Sequence, residues 1–297
     1  MTLKGSIPFD FGSKGFRSPL CEIGDFEWYA YDNTANCEDV PEGHKCTWVV
    51  CQPKNDHGVK LWKCLVTGSL VLRSGSKQVV FSMMDGFLSS AYDSMDFHWT
   101  QSSCDKAAQT AGKGGFGQIS INVFQSCIAD LSAPGNSLLK CETDGANIRV
   151  GGRDLWLSKQ VLRFHSPFFD AMFKAQKLAE APYTLYEVDL NEFLHFMMVI
   201  HGWGIEPHED TVEYLLKLAS QFQCALVTER CEEYLRNAPV RRIPLEKKLR
   251  LADTYQLHRV TIEAIFNSPA EDWKYISWKD DLSEMAKNLI NQKLSLC

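Results

Sequence analysis

The stretch Ile148–Phe173, IRVGGRDLWLSKQVLRFHSPFFDAMF, carries the strongest local signals of the chain. Apolar residues alternate with other residues on both sides of Gly151-Gly152, a dipeptide that supplies the positive φ angles of a two-residue hairpin. Ser158 can cap a short helix, and Ser166-Pro167 combines a capping residue with a proline at the first helical position. The stretch therefore predicts a β-hairpin followed by two short helices.

The residues after that stretch predict one more strand and then only helices. Residues 183–188 have a strand pattern, and Asn191 can cap a helix whose apolar residues recur at i, i+3, i+4 and i+7. Two further amphipathic helices follow over 212–235, before Pro239 ends the pattern. Helical periodicity continues in three segments, 245–255, 260–266 and 282–294. This half of the chain is typical of an α/β domain with a helical extension.

The residues before the stretch have a different character. Segments rich in β-branched and aromatic residues are separated by clusters of Gly, Ser, Asn and Asp, at 46–51, 62–72, 78–83 and 118–124. The alternation in the last segment places Ile119, Ile121 and Val123 on one buried face. These segments predict an all-β antiparallel sandwich or barrel.

The length of 297 residues is sufficient for two domains with their own cores. Turn-forming residues at 132–137 suit a linker between them. We predict an N-terminal tail over 1–20, a β-sandwich over 21–128, a linker over 129–143, an α/β domain over 144–237 and a helical extension over 238–297.

Composition excludes several classes of function. The chain has 31 Lys and Arg against 37 Asp and Glu, a net charge of −6, which argues against binding nucleic acid or anionic lipid. Its most apolar stretch, 196–205, is far shorter than the roughly 20 residues that span a bilayer. Residues 1–16 lack the apolar core of a secretion signal, and the 11 cysteines form no CxxC pair. We therefore expect a soluble protein of the cytoplasm or nucleus with reduced thiols.

The stretch Ile148–Phe173 resembles the opening of a BTB (POZ) domain: a hairpin, a Val-Leu helix and the motif Ser-Pro-x-Phe-x-x-Met-Phe. The order of elements in that family continues along this chain with a strand at 183–190, a helix at 193–201 and a helix pair at 211–237. The resemblance covers residues 140–237 and implies the BTB fold for the second domain.

Two positions depart from the family pattern. The family usually has Asp before the first strand and His before the Val-Leu helix. Here Gly145 stands in the first place, with Asp144 one position earlier, and Ser158 stands in the second. These departures bear on the charged pocket of some family members and leave the packing pattern intact.

The resemblance implies a function in protein interaction. BTB domains are interaction modules, and many act as substrate adaptors that hold a cullin-three scaffold in a ubiquitin ligase. Family adaptors commonly place a hydrophobic-x-Glu motif in the loop after the Met-Phe helix, and Leu178-Ala-Glu180 has that form. Leu178, Glu180 and Phe173 are therefore the implied cullin-binding residues, with an apolar anchor beside a carboxylate. An ordinary solvated loop is the alternative for 178–180. Many BTB domains form two-fold dimers, which makes a homodimer possible.

The first domain is similar to a divergent MATH (TRAF-like) sandwich, on the segments 26–29, 46–54, 61–72 and 115–124. A MATH domain followed by a BTB domain is an adaptor layout abundant in nematodes, in which the sandwich binds client peptides in a shallow groove. Tyr92, Phe97 and Trp99 are candidate client contacts because they lie in a loop-rich stretch. The resemblance implies a non-catalytic ligase adaptor. The alternative is a BTB scaffold or transcription-associated oligomerisation protein without a cullin partner.

Other motifs do not support catalysis or cofactor binding. Gly112–Gly117 satisfies GxGxxG, but the strand pattern that follows is not the helix that a dinucleotide site requires. His195 and His201 flank the apolar stripe of one helix and are expected to be hydrogen-bonded structural residues. We predict no catalytic residue and no cofactor.

One dense group of soft ligands raises the question of zinc. It spreads over 28 positions and comprises Cys37, His44, Cys46, Cys51, His57 and Cys64. Structural zinc sites pair ligands two to four residues apart, and only Cys46 and Cys51 come near that spacing. Thiols buried in a sandwich are the simpler interpretation, so no metal site is predicted.

Overall fold

The computed structural model describes residues 2–10, 15–37, 41–54, 58–74, 76–90, 92–111, 116–175, 182–269, 271–274 and 281–296. The chain divides into an N-terminal unit, residues 1–138, and a C-terminal unit, residues 139–297. The division falls inside the segment that the sequence predicts as a linker.

The N-terminal unit contains two four-stranded antiparallel sheets. The first sheet has the order β1 (Leu3–Phe9), β8 (Phe116–Asp130), β5 (Lys60–Ser74) and β6 (Lys77–Ser89). The second has the order β2 (Cys21–Ile23), β3 (Phe26–Asp32), β4 (His44–Pro53) and β7 (Ser94–Thr100). Buried side chains from both sheets form one core, among them Ile7, Val66, Ile119, Trp28, Val49 and Phe97. The predicted sandwich is confirmed.

Alternation along the strands sets this core. Ile119, Ile121 and Val123 of β8 are buried together, as their spacing predicts. The two sheets approach closely at Gly68 of β5, where a Cβ atom would lie 2.6 Å from Cζ of Phe97. A larger residue at this position would displace the Phe97 ring, because protein interiors are close-packed.

Two elements of the N-terminal unit differ from the sequence prediction. Residues 1–20 are predicted as a tail, but Leu3–Phe9 forms β1 and pairs with β8. Gly, Ser and Pro weaken the strand signal there, yet Pro8 is acceptable because β1 lies at a sheet edge. Helix α1 (Gln101–Ala111) is likewise unpredicted, since it buries only small residues such as Cys104 and Ala107.

The C-terminal unit begins with the predicted hairpin. A short 3₁₀ turn at Glu142–Asp144 leads into β9 (Gly145–Val150) and β10 (Arg153–Ser158). Gly151 and Gly152 join these strands with φ angles of 53° and 77°, as a two-residue hairpin requires. Strand β11 (Tyr183–Leu185) then pairs in parallel with β9.

The other regular elements described in the C-terminal unit are helices. The first five are α2 (Lys159–His165), α3 (Pro167–Ala175), α4 (Leu190–Ile200), α5 (Val212–Gln221) and α6 (Ala225–Asn237). The extension contains α7 (Leu245–Thr254), α8 (His258–Asn267), α9 (Glu271–Lys274) and α10 (Glu284–Ser295). Among the residues described, no helix is long and apolar enough to cross a membrane.

The helix starts follow the predicted capping pattern with one exception. Ser158 accepts a hydrogen bond from the Val161 amide at 3.1 Å, and Ser166 accepts one from the Phe169 amide at 3.2 Å. Helix α4, however, is capped by Asp189 rather than by Asn191. The Asp189 carboxylate can accept two backbone amides at once and also favours the positive end of the helix dipole.

An aromatic cluster holds the C-terminal unit together. The ring of Phe222, at the end of α5, lies 5.0–6.0 Å from four other rings, those of Phe168, Phe169, Phe193 and Phe196. The Phe222 carbonyl also accepts a hydrogen bond from the Ser166 hydroxyl. This cluster fixes α3 against α4 and α5.

Candidate protein-interaction surfaces

The end of α3 is the first candidate surface. Phe173 is half-buried there; its ring stacks on Phe169 at 6.2 Å and meets Tyr183 edge-on at 5.1 Å. Leu178 and Glu180 lie outside the described residues. The Phe173–Tyr183 contact holds together the two chain ends that flank segment 176–181. The same contact joins the end of α3 to β11.

Charged and apolar side chains surround this end of the unit. Asp170 pairs with Arg163 of α2 at 2.8 Å and with Lys174 at 2.6 Å. The two cations, Lys174 first, lower the pKa of the Asp170 carboxyl. Phe164, also on α2, is 83% exposed. The exposed surface of α2 and α3 thus combines fixed charges with one large apolar side chain.

Asp144 and Ser158, which depart from the family pattern, meet in the structure. The Ser158 hydroxyl donates to Asp144 at 2.6 Å, and the Gln160 amide donates to the same carboxylate at 2.9 Å. Burial by itself would raise the pKa of Asp144, but these bonds, with one from the Lys140 amide, lower it overall. Asp144 therefore helps to cap α2 together with Ser158, whose capping role the sequence predicts.

The N-terminal unit carries the second candidate surface, on the outer side of the sheet that contains β3. Phe26, Trp28 and Ala30 of β3 point into the core, so Tyr29 and Tyr31 point outward. We call Arg17, Tyr29, Tyr31 and Trp48 the aromatic face.

The side chains of the aromatic face contact one another through a cation–π interaction and two ring contacts. The Arg17 guanidinium lies 4.7 Å from the centre of the Tyr29 ring, which stacks on Tyr31 at 6.2 Å. Tyr31 in turn lies 6.2 Å from Trp48. A cavity of about 390 Å³ adjoins them, lined by Gly15, Phe16, Arg17, Tyr29, Tyr31 and Asp32. Tyr, Trp and Arg are the residue types that contribute most to protein interfaces.

The aromatic residues proposed from sequence as client contacts occupy other places. Phe97 and Trp99 are 1% and 5% exposed, because alternation along β7 turns them into the core. Their proposed role as surface contacts is therefore wrong. Tyr92 is half-buried in the turn between β6 and β7. Alternation along β3 separates Tyr29 and Tyr31 from the core residues of that strand, but aromatic residues stand on both faces, so the sequence did not show which pair lies outside.

The GxGxxG segment, where it is described, and His195 behave as predicted. Gly117 lies in β8, paired with Phe9 and Leu72, so no helix begins after the last glycine. His195 is buried, with Nδ1 2.6 Å from the Tyr214 hydroxyl. Burial lowers the pKa of His195 to about 4, so its imidazole is neutral at pH 7.

The soft-ligand group is divided between two environments. Cys51 and Cys64 are buried in the sandwich core, where burial, with Cys64 as neighbour, raises the pKa of Cys51. His44 is half-buried at the start of β4, and His57 lies outside the described residues. Cys37 and Cys46 instead lie close to Asp96 and His98 of β7.

The chain is similar to known proteins that carry BTB and MATH domains. The sequence profile of the BTB/POZ domain matches residues 142–239. The chain is similar to Caenorhabditis elegans BTB and MATH domain-containing protein 38, with 31% identity over 143 residues, which cover 47% of this chain and 35% of that protein. For protein 15 of the same name the identity is 29% over 115 residues, covering 37% and 40%. For protein 39 it is 25% over 161 residues, covering 51% and 46%. The chain therefore spans less than half the length of these curated relatives.

Proposed function

Because residues 142–239 form a BTB/POZ domain, we propose that this protein is a non-catalytic adaptor that joins a client protein to a cullin-three ubiquitin ligase. Its relatives carry the names of both BTB and MATH domains, which supports a family of protein-interaction adaptors. The observation that carries the proposal is the presence of two units with separate cores, each with its own candidate surface. The protein would act in the cytoplasm or nucleus.

The mechanism is proximity. The N-terminal sandwich holds the client, the BTB domain holds cullin-three, and the ubiquitin-charged enzyme of the ligase carries out the transfer. Holding both partners on one chain raises the effective concentration of client lysines near that enzyme. The adaptor itself needs no nucleophile for this task.

The cullin contact is assigned to segment 176–181 beside Phe173. An apolar anchor from Leu178 would enter a groove on the cullin, and the Glu180 carboxylate would accept hydrogen bonds at its rim. The Phe173–Tyr183 ring contact supports this assignment, because it restrains the ends of the segment before binding and so reduces the entropy lost on binding.

Loss of the anchor should weaken cullin binding strongly. The double substitution Leu178→Ala and Glu180→Ala is expected to raise the Kd for purified cullin-three at least about thirtyfold, as for a central interface residue. Calorimetric titration of the full chain measures this. The matched control replaces an exposed leucine and an exposed glutamate of the N-terminal unit, Leu65→Ala with Glu22→Ala, and should leave the Kd unchanged.

Two results would contradict this assignment. If the wild-type chain binds no cullin-three, the ligase role is wrong, and a BTB scaffold or oligomerisation protein becomes the better description. If the wild type and the double variant bind equally, the adaptor role stands but the contact lies elsewhere. Sedimentation of the same preparations reports whether the chain forms the homodimer that BTB domains often form.

The client contact is assigned to the aromatic face. Replacing Tyr29 and Tyr31 with serine removes two of its rings without touching the core, so clients should be lost while cullin-three is retained. Proximity labelling in cells, with and without proteasome inhibition, identifies the proteins affected. Tyr186→Ser is the control, because Tyr186 is a highly exposed tyrosine of the C-terminal unit. Unchanged labelling in the double variant would exclude this face.

A further inference from the structure

Four potential metal ligands converge on the outer side of β4 and β7. Val49 and Cys51 of β4 and Phe97 of β7 point into the core, so Cys46, Asp96 and His98 lie on the opposite side. Cys46 and His98 are direct partners in the β4–β7 pairing. Cys37 reaches the same place from the connection between β3 and β4.

The distances among the four ligand atoms are close to those of a metal site. All four lie within 4.8 Å of one another. The His98 Nε2 atom is 2.8 Å from an Asp96 carboxylate oxygen and 3.9 Å from the Cys37 sulfur. In a tetrahedral zinc site the ligand atoms are separated by about 3.3–3.8 Å, given the usual Zn–S, Zn–N and Zn–O bond lengths. Side-chain shifts of about 1 Å would therefore complete a tetrahedron.

The backbone holds the Cys37 connection in place. The Cys46 amide donates to the Thr34 hydroxyl at 2.9 Å, and the Asn33 amide donates to the Cys46 carbonyl at 3.0 Å. Thr34 is itself bonded to Asp32 at the end of β3. The chain that leads to Cys37 is thus hydrogen-bonded to Cys46, which supplies the second thiol. Binding of a metal ion would therefore order few additional residues.

The electrostatic environment also suits a cation. The Cys46 side chain is fully buried, and the Asp96 carboxylate lies within 4.8 Å of its sulfur. Two thiolates and a carboxylate this close together would repel one another. A divalent ion at the centre of the group would relieve the repulsion among its anionic ligands.

We propose that Cys37, Cys46, Asp96 and His98 bind one Zn²⁺ ion. Two thiolates and an imidazole favour zinc over Mg²⁺ or Ca²⁺, which prefer oxygen ligands. Binding releases the protons of both thiols to solvent. The ion would tie the β3–β4 connection to β7, beside Trp48 of the aromatic face, and so stabilise the N-terminal unit. This role does not depend on the ligase function.

The test uses the full chain, reduced and freed of metal by a chelator. Elemental analysis after zinc addition and dialysis should give one Zn²⁺ per chain, and zinc should raise the unfolding temperature of the N-terminal unit. Titration with Co²⁺ as a probe should give the intense visible bands of tetrahedral coordination and a sulfur-to-cobalt charge-transfer band. Cys37→Ser and Asp96→Asn should each weaken zinc binding by about a hundredfold or more.

Matched controls separate this site from general thiol chemistry. Cys21→Ser, in the same sheet, and His44→Gln, on β4, should bind zinc as the wild type does. The proposal is overturned if the wild type retains less than one ion, if the Co²⁺ spectrum is octahedral, or if Cys37→Ser binds as tightly as the wild type.

Discussion

Replacing Phe222 with alanine is expected to lower the free energy of unfolding of the C-terminal unit by about 4 kcal/mol, in the range of buried Phe→Ala substitutions. Phe222 is fully buried, and its ring contacts four others from α3 and α4. The substitution leaves a cavity at the point where these helices meet. A loss of this size is a large fraction of the stability of an ordinary domain.

Denaturant unfolding of the full chain measures the change in the free energy of unfolding. Peptide-resolved hydrogen exchange over residues 145–237 shows that the change belongs to the C-terminal unit. Phe164→Ala is the matched control, because it makes the same chemical change at a side chain that is 83% exposed. It should alter the free energy of unfolding by no more than about 0.5 kcal/mol. Equal effects of the two substitutions would show that the aromatic cluster does not hold the unit together. Cullin binding should fall with Phe222→Ala, since the cluster supports Phe173.

Acid should destabilise the C-terminal unit through His195. Burial lowers the pKa of His195 to about 4, whereas an unfolded histidine has a pKa of about 6.5. Between these values the unfolded chain binds a proton that the folded chain does not, so stability rises with pH. The stability present above pH 6.5 is therefore lost as the pH falls towards 4, by roughly 3 kcal/mol for this one group.

The pH dependence of the unfolding free energy from pH 7 to pH 4 tests this prediction. His195→Gln has no titrating ring and keeps a polar group that can bond the Tyr214 hydroxyl. Its curve should be flatter than that of the wild type over this interval, whatever its stability at pH 7. His201 has a similarly lowered pKa, through burial and the charge of His165, so part of the slope should remain in the variant. Parallel curves for the wild type and His195→Gln would exclude His195 as the cause.

The order of secondary structure in the C-terminal unit could be predicted because its signals are local. Gly151-Gly152 adopts the predicted positive φ angles, and Ser158 and Ser166 cap the helices that they precede. Each of these signals acts within a few residues of its position. The sequence predicts Asn191 as the cap of α4, whereas Asp189 caps it in the structure. Both side chains can accept hydrogen bonds from backbone amides, so the local pattern does not distinguish them.

The surfaces could be predicted less well because they depend on which side of a strand faces the core. Phe97 and Trp99 are of residue types that are common in interfaces, yet their positions in β7 bury them. Tyr29 and Tyr31 are half-buried on the outer side for the same reason. A strand with aromatic residues on both faces does not reveal by itself which face is covered.

The sequence by itself determined the two domain types, the hairpin and the amphipathic helices, because hydrophobic spacing and capping act over short distances along the chain. Only the tertiary structure decided which side chains share a site. Cys37 and Cys46 join Asp96 and His98 through the pairing of β4 with β7, across about fifty residues of sequence. Such pairings depend on packing between distant strands, and the spacing of residues along one chain does not record them.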